Sequence, residues 1–259
     1  MVLRNARRFD EVNARLAAAE QGFEASFNEA LNRICDDISA PGDPDLRVRV
    51  LAASQKYSFR GLRVTLVPHQ RLAIERLERL DGALLSSASV KWLCQPPRSY
   101  TLFIPFEHQG RPILGGVEYI NFESRIALRR HRVQRDGIVE LSEMSRLSGA
   151  EKSVPVEWLV RATASVLAIY DRLRDWAGAP SMPAEISVEI LGLVGLKPQI
   201  GEWPNEQVGT CLGFRTLFDR CTVADPTDFD DCLNMLARDL LNAGGLSTAR
   251  VPQFTMAVA

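Results

Sequence analysis

Between Val90 and Leu141 the chain breaks into five short strand-like segments: Ser89 to Leu93, Tyr100 to Phe106, Gly115 to Phe122, Ser124 to Val133 and Gly137 to Leu141. The turn signals His108-Gln109-Gly110-Arg111-Pro112 and Arg135-Asp136-Gly137 separate them. Connections this short leave no room for crossover helices, so neighbouring segments are expected to pair antiparallel, most simply as a meander. A sheet of this kind needs helices to cover its apolar face.

Two such helices can be read downstream. Trp158, Leu159, Ala162, Val166, Ile169, Leu173 and Trp176 fall at helical spacing after Pro155 and stop at Gly178-Ala179-Pro180. The second runs from Phe229 to Ala243, with Phe229, Leu233, Leu236 and Leu240 inward, Thr227 or Asp228 as N-cap and Gly244-Gly245 as its stop. Glu185 to Leu193 returns to strand, Cys211 to Cys221 fits either state, and the last residues are expected to fray.

Upstream, Phe9, Val12, Leu16, Phe23, Phe27, Leu31, Ile34 and Ile38 form one stripe of a long amphipathic helix, interrupted at Gly22 and ended by Ala40-Pro41-Gly42-Asp43-Pro44. Leu46 to Val50 and Leu62 to Leu66 alternate apolar with polar and are expected to pair antiparallel. Arg71 to Leu80 reads as a short helix burying Ala73, Ile74, Leu77 and Leu80. The fold class is therefore α+β: an antiparallel sheet covered by helices, with residues 1–40 as an N-terminal amphipathic helix and 45–259 as the α+β domain. That helix can pack on its own body or mediate self-association or docking of a protein partner.

Composition constrains function mainly by exclusion. With 46% hydrophobic and 24% charged residues the chain can build a sizeable core. A net charge of −1 rules out the global positive field of a protein that coats nucleic acid or anionic lipid. The positive charges are nearly all arginine, which suits bidentate phosphate or carboxylate contacts, although GC-rich coding produces the same bias. Five scattered cysteines, Cys35, Cys94, Cys211, Cys221 and Cys232, never in a C-x-x-C pair, read as reduced structural thiols of a cytoplasmic protein. No apolar run approaches the roughly 20 residues needed to span a bilayer, so no membrane association is expected.

No local motif supplies catalytic chemistry. His69, His108 and His131 have no metal-ligand spacing. The acidic run Asp225, Asp228, Asp230 and Asp231 could hold magnesium, but its place at a helix start is explained by capping. Gly192 to Pro198 lacks a phosphate-binding fingerprint and reads as a tight bend. Ser99, Ser142 and Ser145 have no local base, and Cys94 reads as a structural thiol despite Lys91 and Arg98 nearby. The expectation is a non-enzymatic protein with no catalytic residues, metal or cofactor.

The positive signal is a cluster in one strand: Arg125, Arg129, Arg130 and Arg132, followed by Arg135 and with His131 among them. From Arg129 onward both strand faces carry charge. Such a strand either runs past the core into solvent, protected from edge pairing, or grips the phosphates of DNA or RNA.

Four phrases, in order, resemble the region that follows the DNA-binding module in bacterial proteins of the Schlafen-type AlbA family. They are Arg63-Val64-Thr65-Leu66-Val67-Pro68, Arg135-Asp136-Gly137-Ile138-Val139-Glu140, Glu189-Ile190-Leu191-Gly192-Leu193-Val194-Gly195 and Leu241-Asn242-Ala243-Gly244-Gly245-Leu246-Ser247. The resemblance runs from about Phe23 onward. The chain has no A-N-x-x-G-G-type strand, the mark of the DNA-binding module itself, so nucleic-acid binding does not transfer residue by residue. The resemblance implies an accessory or sensing domain that works by protein association in a bacterial nucleic-acid-associated system. The alternative is direct DNA or RNA binding through Arg125, Arg129, Arg130 and Arg132.

Overall fold

The structure is a computed structural model that describes residues 10–18, 59–75, 77, 88–94, 96–103, 110–123, 126–146, 153–192, 196–200, 215–245 and 252–257. Its largest sheet contains β1 (Phe59–Pro68), β4 (Arg111–Ile113), β5 (Gly116–Glu123), β6 (Ile126–Gln134), β7 (Val139–Arg146), β9 (Ala184–Leu191), β11 (Arg215–Leu217) and β12 (Cys221–Val223). The spatial order is β11-β9-β1-β7-β6-β5-β4, with β12 also paired to β9. Every pairing in this sheet is antiparallel. β2 (Ser89–Trp92), β3 (Arg98–Thr101) and β13 (Phe254–Ala257) form a second sheet, order β13-β2-β3. A short parallel pair joins β8 (Ser153–Pro155) to β10 (Lys197–Gln199).

The meander expected across residues 89–141 is thus divided. From β5 to β7 it stands as read; β4 forms where a turn was expected, and β2 and β3 leave the meander for the second sheet. Both edges of β1 are occupied, by β7 and β9 rather than by residues 46–50, which lie outside the described residues. The β6–β7 turn uses Gly137 at φ +91°, and a Cβ there would sit 2.7 Å from Leu72 Cδ1. Only glycine accepts both the left-handed backbone and that approach.

The same turn overrides the helix expected at residues 71–80. Leu72 and Ile74 donate their N–H groups to Asp136 and Arg135 carbonyls at 3.0 and 3.1 Å. Residues 71–74 therefore lack helical structure, and burial alternates: Leu72 and Ile74 are inside and Ala73 is outside. Residues 78–80 lie outside the described part.

Helix α1 (residues 10–18) falls within the stretch expected to form a long N-terminal helix, but the long helix is not supported: residues 1–9 and 19–40 lie outside the described residues. Its Val12 and Leu16 pack with Val67 and Ile138 of the sheet. Arg15 reaches Asp136 at 3.0 Å, and Arg71 reaches Glu11 at 2.6 Å.

Helix α2 (Val156–Trp176) was expected to cover one sheet face, but it is enclosed on nearly all sides. Residues from Val156 to Tyr170, Arg161 excepted, are all buried, and only the last turns emerge, with Trp176 39% exposed. One side lies against β1 and β7, and others against β2, β3 and a second helix, α3 (Pro226–Ala243). Small residues Ala162, Ala164, Ser165 and Ala168 let these layers approach. Burying each Val, Leu or Ile contributes roughly 1.5–3 kcal/mol. Arg174, 4% exposed, pairs with Asp171 one turn back in the helix at 2.6 Å and ties the end of α2 to the Ala224 carbonyl, with its guanidinium over the Phe229 ring.

The start of α3 also differs from the reading. Its N-cap is Asp225, whose carboxylate accepts from Thr227 and Asp228 N–H at 2.8 and 3.1 Å, while Asp228 accepts from Ala224 and Asp225 N–H. Pro226 at the first helical position places this capping box ahead of the expected cap. The terminal residues expected to fray instead form β13 along β2, with Phe254 fully buried.

The face of the main sheet turned from α2 is polar yet also buried in its centre. Arg63 and Glu189, opposite each other on β1 and β9, pair at 2.9 Å with 1% and 0% side-chain exposure. Substituting Glu189→Ala leaves the arginine charge buried without its carboxylate and should cost about 3–5 kcal/mol, whereas Arg63→Met with Glu189→Leu should cost much less. Urea unfolding of both variants measures this difference.

Candidate functional site

Antiparallel register places the strand arginines opposite carboxylates. One row crosses the sheet as Arg111, Glu118, Arg132, Glu140, Thr65 and Ser187, each directly opposite the next. Within it Arg111 and Arg132 both bind Glu118, at 2.5 and 3.1 Å. Arg130 binds Glu140 at 3.1 Å and approaches Glu118 at 3.8 Å. The guanidiniums hold the Glu118 carboxyl below its usual range although burial, the largest single influence, opposes them.

β6 is therefore an interior strand, flanked by β5 and β7, and not one that runs past the sheet into solvent. Charge on both its faces is explained by carboxylate partners across the ladder. Arg125 lies outside the described residues. Arg130 and Arg132 share the face away from α2, whereas register puts Arg129 opposite Glu143 on the α2 face, so the described arginines do not form one patch.

On the α2 face Glu143 organises a second cluster. It accepts from Arg129 Nε at 3.0 Å and from the Trp158 indole N–H at 2.9 Å. Arg129 and Arg161 both stack on the Phe103 ring, 3.8 and 4.4 Å from its centroid, and Arg60 covers Trp158 at 4.5 Å. Arg161 donates to the Thr101 carbonyl at 2.8 Å, and burial and the neighbouring Arg129 charge lower its pKa. Tyr100, beside Glu157 at 3.2 Å, is pushed up to about 12 by burial first and by that carboxylate second.

His131 sits next in this row, 2% exposed, with Nε2 unpartnered. Burial and the Arg129 charge lower its pKa to about 3, against an opposing hydrogen bond with the Phe103 backbone. It is a neutral core side chain. His69 is elsewhere, 3.0 Å from Glu185, which also accepts from Thr222 at 2.6 Å. His108 lies outside the described residues. Among the described residues no three His, Cys, Asp or Glu side chains are grouped to hold a metal, and no described helix is long and apolar enough to cross a membrane.

A concave site lies between α3, β12 and β13, an open cleft of about 890 Å³, within the range of roughly 300–1,000 Å³ common to ligand pockets. The first turns of α3 supply Asp228, Asp230 and Asp231, with Arg238 further along. Cys221 on β12 and Cys232 and Met235 on α3 add sulfur to its lining, the half-exposed Leu93 contributes apolar surface, and the fully buried Phe254 lies behind it. Asp228 is committed to the capping box. Asp230 accepts from Met256 N–H at 2.7 Å, while burial raises its pKa and Asp231 adds to the rise. Asp231 is exposed.

Asp230 and Asn234, one helical turn apart, also close the free edge of β13. The Asn234 amide donates to the Phe254 carbonyl at 3.0 Å and accepts its N–H at 2.7 Å. Side chains thus occupy main-chain groups that another strand could otherwise pair with. Sequence reading assigned Asp230 to the helix cap and gave Asn234 no role, because their partners lie 26 and 20 residues away. It likewise separated Cys221 from Cys232, which carry no motif.

No protein-family model matches the chain, and neither a curated protein nor a solved structure matches it.

Two outcomes test this geometry. Because unfolded histidine binds its proton near pH 6.5 while folded His131 remains neutral down to about pH 3, stability falls as pH drops through that window. By pH 5 the loss should reach about 2 kcal/mol relative to neutral pH; His131→Gln should remove it from pH-dependent urea titrations. Asn234→Ala should destabilise the protein by about 1–3 kcal/mol, with faster amide exchange at Phe254.

Proposed function

We propose that the protein is a non-enzymatic accessory module that acts by protein association, and that the acidic cleft beside α3 receives a basic segment of its partner. One observation carries this reading: the cleft presents Asp228, Asp230 and Asp231 around an apolar and sulfur-containing lining, with Arg238 as its basic member. A lysine or arginine can place its charge among the aspartates and its methylenes on Leu93 and Met235. The paired charges of Arg130 and Arg132 give direct phosphate binding less support. The described part of α1 packs Val12 and Leu16 against its own body, which favours the cleft over that part of the helix as the association surface.

The setting we propose, a bacterial nucleic-acid-associated system, is supported by the order of the resembling phrases. β1 ends at Pro68, the Arg135-Asp136-Gly137 turn joins β6 to β7, and β9 follows the long helix α2. Basic segments abound in proteins that handle nucleic acid, which suits an acidic receiving cleft.

A second reading, direct DNA or RNA binding, is favoured at one place. Arg129 and Arg161 flank Phe103, and Arg161 has no ion-pair partner among the described residues. A phosphate could bridge these two guanidiniums with the aromatic ring between them.

Fluorescence anisotropy with a lysine- and arginine-rich peptide, an acidic control and short DNA and RNA separates the readings. Protein association predicts salt-sensitive binding of the basic peptide alone, weakened about two- to fivefold by Asp231→Asn. Nucleic-acid binding whose salt dependence flattens in Arg129→Ala and Arg161→Ala would establish the second reading instead.

A further inference from the structure

Cys221 and Cys232 are eleven residues apart in sequence and meet at the cleft. Cys221 lies on β12 opposite Ile186 of β9, with its side chain partly accessible, whereas Cys232 lies on α3 and is 3% exposed. Both line the cavity, and the Cys221 thiol donates to the Asp219 carbonyl at 3.8 Å. β12 is held by its ladder with β9, and α3 by its capping box and by packing on α2, so neither thiol depends on a loose segment for its position.

This arrangement gives the two sulfurs different roles. The neighbouring Cys232 lowers the Cys221 pKa, outweighing burial and the nearby Glu185, Asp239 and Asp219 charges. Cys232 is shifted in the opposite direction, by Cys221 and by burial. Thiolate character therefore concentrates on the sulfur that solvent reaches. Cys94 lies apart from this pair, and its thiol donates to the Pro96 carbonyl at 2.9 Å.

We propose that Cys221 and Cys232 form a redox-active dithiol site that reacts with low-molecular-weight disulfides entering through the cleft. The Cys221 thiolate attacks one sulfur of the small disulfide, breaking its S–S bond, forming a mixed disulfide and releasing one small thiolate, which takes up a proton. Cys232 then gives up its proton, and its sulfur attacks the Cys221 sulfur. An intramolecular S–S bond forms, and the second small thiol departs with that proton. Two protein thiols are oxidised and one small disulfide is reduced to two thiols. The new bond links β12 to α3 and removes both thiols from the cleft lining. This chemistry does not depend on what partner the cleft receives.

The sequence provides a direct readout, because Arg220 and Arg238 bracket a tryptic peptide, residues 221–238, that contains these two cysteines and no other. The full chain is incubated with oxidised glutathione, alkylated, digested and weighed. The expected product is that peptide with no alkyl group, lighter than its reduced form by the mass of a pair of hydrogens and restored by dithiothreitol. In Cys232→Ser the glutathione should remain trapped on Cys221, and in Cys221→Ser Cys232 should stay unmodified. Recovery of the wild-type peptide with both thiols alkylated, or with a persistent glutathione adduct, would overturn the proposal. The wild-type result decides it even if a variant fails to fold.

Discussion

The structure depends first on the enclosure of α2. A helix that meets solvent along one side can pair an apolar stripe with a charged one; α2 instead has the main sheet on one side and the second sheet and α3 on others. Its alanines and serine are therefore as necessary as its leucines and valines, since they set how closely the layers approach. Polar groups carried inward need partners there. Glu157 receives the Tyr100 hydroxyl, Ser165 receives the Phe103 N–H, and Tyr170 donates to the Met182 carbonyl. These bonds also align β3 and the segment before β9 with the helix.

The main sheet solves a different problem on its other face. Charged residues are buried there, and desolvation would penalise them unless opposite charges lay within hydrogen-bond reach. Register provides that proximity: a shift of one residue would carry the arginines and glutamates of every row to the wrong face. The charge pattern consequently helps specify strand pairing. The arginine concentration on β6 follows from its place between β5 and β7, each of which supplies carboxylates. The Arg129, Arg161 and Phe103 cluster differs because Arg161 has no ion-pair partner among the described residues.

The cleft is where local satisfaction leaves chemical capacity over. Asp228 and Asp230 are bound to backbone amides and maintain the start of α3 and the edge of β13. Asp231 faces solvent, and the Cys221 and Cys232 pair lies in the same cavity. Electrostatic recognition and thiol chemistry thus share a surface whose walls are held by capping, edge closure and helix packing.

Elements governed by neighbours in sequence were legible from it. The meander from β5 to β7, its Asp136-Gly137 turn, the periodicity of α2 and the inward residues of α3 all reflect repeats or dihedral preferences that act over a few residues. The α+β class followed from those signals. Residues 71–80 show the limit: helical spacing was present, but donation of two N–H groups to a turn more than 60 residues away selected a non-helical path. The arginines were visible as a cluster, yet only strand register could reveal their carboxylates. The cleft, the cover on β13 and the meeting of Cys221 with Cys232 had no local signature. Sequence alone determined the apolar periodicities, the turn residues and the supply of charge, because these are properties of neighbouring residues. Tertiary structure decided which charges were neutralised, which edge was closed and which thiols met, because each requires groups distant along the chain to reach hydrogen-bond distance.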